Sequence, residues 1–106
     1  MEIKKAYEGK DASLESLRAE IDECDKQIIE LLARRFESVW KIGMYKAIHN
    51  LPVVDEAREA KLLSDRQQQA SATRNYSVEN IFKLVLEESH QVQIKMREDL
   101  NPDKLD

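Results

Sequence analysis

From Ser13 to His49 the chain carries an apolar repeat with a period of seven and no proline. Leu14, Ile21, Ile28, Arg35 and Ile42 share one heptad position, and Leu17, Cys24, Leu31, Ser38 and Tyr45 share the position three residues on. The pattern predicts one helix from about Ser13 to Asn50, roughly 36 residues and roughly 55 Å at the usual rise. Asp11 or Ser13 can cap it, with Glu15 in the dipole-favourable first turn. Asn50 suits a helix stop, and Pro52 forces its predecessor out of the helical region. With 106 residues in all, the chain makes one small domain that cannot easily cover such a helix by itself. Burial shared between copies is therefore expected.

Three cations interrupt this stripe. Arg35 stands where an aliphatic residue belongs, and an unpaired guanidinium on a buried seam is costly unless something anionic meets it. Lys46 lies eleven residues on, close to three whole turns, so it points from nearly the same face, with Val39 and Ile42 between. The two stems start roughly 16 Å apart along the axis, within reach of one small ligand for two long side chains. Arg18 is seventeen residues before Arg35, roughly 25 Å away and about a quarter turn off the face. If it serves the same kind of site, that site belongs to another copy of the helix. Gly43 inside the helix costs about 1 kcal/mol relative to alanine, which points to close approach by another backbone or a ligand.

Composition narrows the rest. Two glycines, two prolines and 36% charged residues favour an all-α protein. Gly9 and Gly43 are too far apart for a phosphate-cradling loop. A net charge of −4 with interspersed signs argues against nucleic acid as a partner, whereas a local cationic pocket suits a small anion. Cys24 is the single cysteine and is expected in the core, and with two histidines a catalytic metal is not expected. Residues 1–12 read as a flexible extension, 13–98 as the folded domain and 99–106 as a flexible tail. No apolar run is long enough for a signal peptide or a membrane span, so a cytoplasmic protein is expected.

A second helix is expected from Val54 or Asp55 to about Ser71, with Leu62 and Leu63 as its clearest apolar pair. A third is expected from about Ser77 to Arg97, burying Val78, Ile81, Phe82, Val85, Leu86, Val92 and Met96. Ser89 and Gln93, four residues apart, continue the row of Phe82 and Leu86 and face inward. A buried amide needs partners for its donors and acceptor, so Gln93 reads as a core hydrogen bond or as a pocket wall. Asp55, Arg58 and Glu59 fall on one side of the second helix, a spacing that by itself fits an ordinary surface ion cluster. Ser89 and His90 are neighbours about 100° apart on a helix, so they cannot act as nucleophile and base. His49 lies at a helix end, where an imidazole suits the dipole.

The run Leu17-Arg18-Ala19-Glu20-Ile21 through Asp25, then Leu31-Leu32-Ala33-Arg34-Arg35, then Lys46, resembles the helical class of chorismate mutases. That family also shows a D-x-x-R-E run after a proline break, matched by Pro52, Asp55, Arg58 and Glu59. It carries a serine and a glutamine four apart on the last helix, matched by Ser89 and Gln93. The resemblance extends from Ser13 to about Arg97. It implies a three-helix protomer with one very long first helix, an interlocked homodimer, and active sites shared between chains. The implied activity is the rearrangement of chorismate to prephenate on the way to phenylalanine and tyrosine, with no cofactor.

By the same resemblance, Arg18 of one chain and Arg35 of the other grip the two substrate carboxylates, aided by Arg58. Lys46 and Gln93 approach the ether oxygen, Asp55 and Glu59 receive the ring hydroxyl, and Ser89 supports the pocket. Two alternatives stand beside this one. Isochorismate pyruvate lyase shares the fold and the Arg, Arg, Lys, Gln framework, although Glu59 and Ser89 favour the mutase. A non-catalytic helical dimerisation module would explain the long helix but not the polar residues on apolar faces.

Overall fold

A computed structural model describes residues 13–70 and 74–100. They form three helices, α1 (Leu14–Ile48), α2 (Glu56–Gln69) and α3 (Asn75–Asp99). The protein is all-α, as its periodicity implied. The extension expected at residues 1–12 lies outside the described residues, as does the tail expected at 99–106 apart from Asp99, which ends α3, and Leu100. So do residues 71–73.

Helix α1 is 35 residues long. Ser13 caps it, its Oγ accepting from the Ser16 backbone N–H at 3.1 Å, which satisfies one of the unpaired donors of the first turn. At the other end Asn50 takes φ 55°, in the left-handed region. The Leu51 N–H then donates to the Lys46 carbonyl at 2.8 Å and the Asn50 N–H to that of Ala47 at 3.3 Å. This pair of bonds is a Schellman motif, and it stops the helix two residues before Pro52 would. The Tyr45 and His49 rings meet at the same end, tilted by 41° with centroids 4.2 Å apart.

The chain divides into two compact units, one ending at Arg35 and one starting at Phe36. In the first, Leu14, Ile21, Ile28 and Leu31 are 50–62% exposed. Cys24 is exposed with them, which corrects its expected place in a core. The physical reason is that a seam needs a facing layer, and this length of helix has none among the described residues of its own unit.

In the second unit α2 packs on α3. Val39, Leu62, Leu86 and Met96 form its buried apolar centre. Phe82, Val85 and Val92 are half-buried around them, but Ile81 is exposed, against expectation, because it falls on the outer side of the α3 row. The Asp55 carboxylate caps α2, accepting from the Arg58 backbone N–H at 3.0 Å. On the surface of α2 the Lys61 ammonium bonds Asp65 at 2.7 Å and holds that carboxyl below its usual range. The Arg66 guanidinium lies 5.8 Å from the centre of the Phe82 ring, a cation–π contact between α2 and α3. Near the end of α3, Arg97 donates to the Leu51 carbonyl and ties that helix to the α1–α2 connection.

The left-handed Asn50 gives a direct test of this helix stop. Asn50→Val should lose about 1–2 kcal/mol in urea unfolding, the cost of a Cβ-branched residue at positive φ. Asn50→Gly should stay within about 0.5 kcal/mol of the parent.

Candidate active site

Lys46 occupies the last turn of α1, where a cation complements the exposed carbonyls. Its half-buried Nζ donates to the Val53 carbonyl at 2.7 Å and to Gln93 Oε1 at 3.2 Å. An ammonium has three N–H groups, so one donor is left over. Gln93 is only 6% exposed. Because its oxygen accepts from Lys46, its NH₂ is the end available to an incoming acceptor. Together the two side chains present N–H donors from facing helices.

The approach of α3 to α1 here depends on Gly43. A Cβ at that position would lie 2.6 Å from Met96 Cε and 3.0 Å from Gln93 Cγ. The glycine that looked costly by helix propensity is thus the gap into which Gln93 and Met96 fit. One turn before Gln93, Ser89 is also buried, and its hydroxyl donates to the Val85 carbonyl at 2.7 Å.

Lys46, Leu51, Pro52, Val54, Asp55 and Glu56 line a cleft of about 450 Å³. Asp55 contributes one carboxylate oxygen to its capping bond, a role that its spacing from Arg58 and Glu59 did not reveal. Arg58 is exposed. Glu59 lies in the first turn of α2 and meets His90 of α3, whose Nε2 is 3.0 Å and 2.9 Å from the two carboxylate oxygens. This contact was missed in the sequence because it depends on the register between two helices. Arg18, exposed, and Arg35, half-buried, belong to the first unit. They stand seventeen residues apart on unbroken helix, roughly 25 Å by its rise.

The second unit thus brings Lys46, Gln93 and the Val53 carbonyl together, and separately Glu59 and His90. Among the described residues no three His, Cys, Asp or Glu side chains cluster as metal ligands, and no helix is long and apolar enough to cross a membrane.

Residues 17–94 match the family described as chorismate mutase type II. The chain belongs to that family. The match to type II chorismate mutases contains every candidate residue from Arg18 to Gln93. A T-protein of Enterobacter agglomerans is 36% identical over 81 residues, 74% of this chain and 22% of that protein. A T-protein of Haemophilus influenzae is 32% identical over 80 residues, 74% of this chain and 21% of that protein. The bifunctional chorismate mutase/prephenate dehydratase of Buchnera aphidicola subsp. Schizaphis graminum is 36% identical over 84 residues, 76% of this chain and 22% of that protein. The chain therefore spans about a fifth of the length of the curated relatives it matches. No solved structure matches it.

In this type II chorismate mutase chain, the tight seat of Gln93 against Gly43 can be tested by filling the gap. Gly43→Ala gains about 1 kcal/mol of helix propensity and loses packing at Met96 and Gln93, so its stability should stay within about 1 kcal/mol of the parent. Its effect should appear instead at Gln93, as a shifted side-chain amide resonance in NMR spectra. An unmoved resonance would contradict the close packing.

Proposed function

We propose that the chain is a chorismate mutase, converting chorismate to prephenate in aromatic amino acid biosynthesis. The observation that carries this reading is the Lys46–Gln93 pair, two N–H donors converging from α1 and α3 on faces where apolar residues would pack more simply. The reaction breaks an ether C–O bond as a new C–C bond forms within the same molecule. It requires no nucleophile, proton transfer or cofactor. It requires the flexible dianion to be held in its compact reactive form and the charge growing on the ether oxygen to be stabilised.

Lys46 supplies a full positive charge to that oxygen, and Gln93 supplies an amide N–H whose direction is set by the bond from Lys46 to its own oxygen. Arginines suit the two carboxylates because the planar guanidinium binds a carboxylate through two parallel N–H donors. Arg18 and Arg35 are too far apart on one helix to hold a molecule of this size together. We therefore assign them to two chains of a homodimer, where together they grip the two carboxylates, aided by Arg58. Asp55 and Glu59 receive the ring hydroxyl, and Ser89 supports the pocket. The exposed Leu14, Ile21, Ile28 and Leu31 support the dimer, since a second copy would cover them. We place the enzyme in the cytoplasm.

Product analysis tests the activity. Prephenate formed from chorismate supports it; pyruvate and salicylate formed from isochorismate instead would assign the chain to the lyase reaction on the same fold. No turnover of either would leave a binding or dimerisation module.

Sharing of sites predicts complementation. Arg18→Ala and Arg35→Ala should each be nearly inactive, yet regain roughly a quarter of wild-type activity when unfolded and refolded together. Random pairing makes about half the dimers mixed, each with one intact site of two. A refolded mixture as inactive as its parents would rule out the shared site.

Charge at Lys46 should matter more than bulk. Folded Lys46→Met should lose on the order of 100-fold or more in turnover, the scale of removing one preorganised donor. Turnover equal to wild type would remove this lysine from the chemistry.

The Gln93→Glu variant separates donor from packing. Position 93 lies 3.2 Å from the Lys46 ammonium, which favours an ionised carboxylate there at neutral pH. An ionised carboxylate only accepts hydrogen bonds and repels the developing oxyanion, whereas its protonated form donates again. Activity should therefore be poor at neutral pH and rise as pH falls, with no such acid recovery in wild type. A folded Gln93→Glu enzyme with the wild-type pH profile would mean that Gln93 is a packing residue.

A further inference from the structure

The mechanism leaves one contact between α2 and α3 unused. The Lys41–Glu37, Lys61–Asp65, Lys83–Glu79 and Lys95–Asp99 pairs all lie within a single helix. Glu59 and His90 instead join two helices, with side chains 21% and 26% exposed. His90 follows the buried Ser89 and precedes Gln93 by three residues, and the turn of about 100° from Ser89 carries its ring toward α2.

The two distances from His90 Nε2 to the carboxylate oxygens, 3.0 and 2.9 Å, are nearly equal. An N–H on Nε2 in this position is shared between the two oxygens as acceptors. An ionised carboxylate is acceptor-only, so Nε2 carries the hydrogen. A carboxylate offers about four lone-pair sites, and a single shared N–H leaves room for a further donor. Glu59 can thus be held by His90 and still accept a hydroxyl.

We infer that His90 is a positioning residue, whose Nε2–H fixes the Glu59 carboxylate where it accepts the ring hydroxyl of the substrate. This inference rests on the proposed function, because it gives Glu59 the hydroxyl. A glutamate carboxylate turns about three side-chain bonds, and its place on a helix does not by itself restrain it. The bond from α3 supplies that restraint and couples the hydroxyl end of the site to the helix that also carries Gln93.

The test compares wild type, His90→Leu, His90→Gln and Glu59→Ala, together with the His90→Leu/Glu59→Ala double variant, in chorismate turnover. His90→Leu should lose on the order of 10-fold in kcat/KM, the lower end of what removing an outer-sphere partner costs. His90→Gln keeps an N–H at similar reach and should recover most of that loss. In the Glu59→Ala background, His90→Leu should cost nothing further, because a residue acting through Glu59 has nothing left to position. An equal loss in both backgrounds, a His90→Gln variant no better than His90→Leu, or a folded His90→Leu enzyme with wild-type kinetics would each overturn the inference.

Should wild type itself leave chorismate unchanged, the proposed function fails, and the His90 role in that chemistry fails with it. The contact is tested separately by nitrogen NMR of the wild-type imidazole, which also serves if His90→Leu does not fold. A hydrogen on Nε2 is the expected result. A neutral ring with its hydrogen on Nδ1 would overturn the inference whatever the enzyme's activity.

Discussion

A 35-residue helix is long for so short a chain, and most of the other features follow from that disproportion. At about 1.5 Å per residue α1 measures roughly 52 Å, whereas a compact domain of about 100 residues has a radius of gyration near 13 Å. Helices α2 and α3, of 14 and 25 residues, are each shorter. Leu14, Ile21, Ile28 and Leu31 of α1 are accordingly exposed in the single chain. The same length separates Arg18 from Arg35 too far for one small ligand. Uncovered surface and an out-of-reach arginine are both consistent with a second copy.

Lys46 organises the second unit as much as it serves the proposed chemistry. Its ammonium ties the last turn of α1 to the Val53 carbonyl of the following connection and to the amide of Gln93 on α3. Removing it would leave a buried oxygen on Gln93 without this donor and free the amide to turn, so a loss of rate and a loss of order would arrive together. Gly43 makes the arrangement possible by admitting Gln93 and Met96 close to the α1 backbone. Arg97 reinforces the same connection from the end of α3, through Leu51.

Much of this was legible in the residues because helical periodicity is a local property. The inward row of Phe82, Leu86, Ser89, Gln93 and Met96 follows from spacing alone, and two of its members are polar and buried as that spacing requires. Asn50 and Gly43 were likewise readable, one by its tolerance of positive φ and the other by its cost in a helix. The family resemblance read from the Arg18, Arg35, Lys46 and Gln93 pattern agrees with the match over residues 17–94. What escaped depends on neighbours that spacing does not specify. Cys24 shares an apolar heptad position and Ile81 falls on the outer side of the α3 row, and both are exposed. Glu59 meets His90 only because α2 and α3 pack in a particular register. Asp55 spends an oxygen on capping α2, a choice between local and ligand bonding that its sequence position leaves open.

The claim that one chain is incomplete by itself is tested most directly by its mass in solution at concentrations where chorismate turnover is measured. Sedimentation equilibrium should give about twice the chain's 12.4 kDa, with turnover per chain falling as dilution separates the copies. A folded species of 12.4 kDa whose turnover per chain does not change with dilution would contradict it.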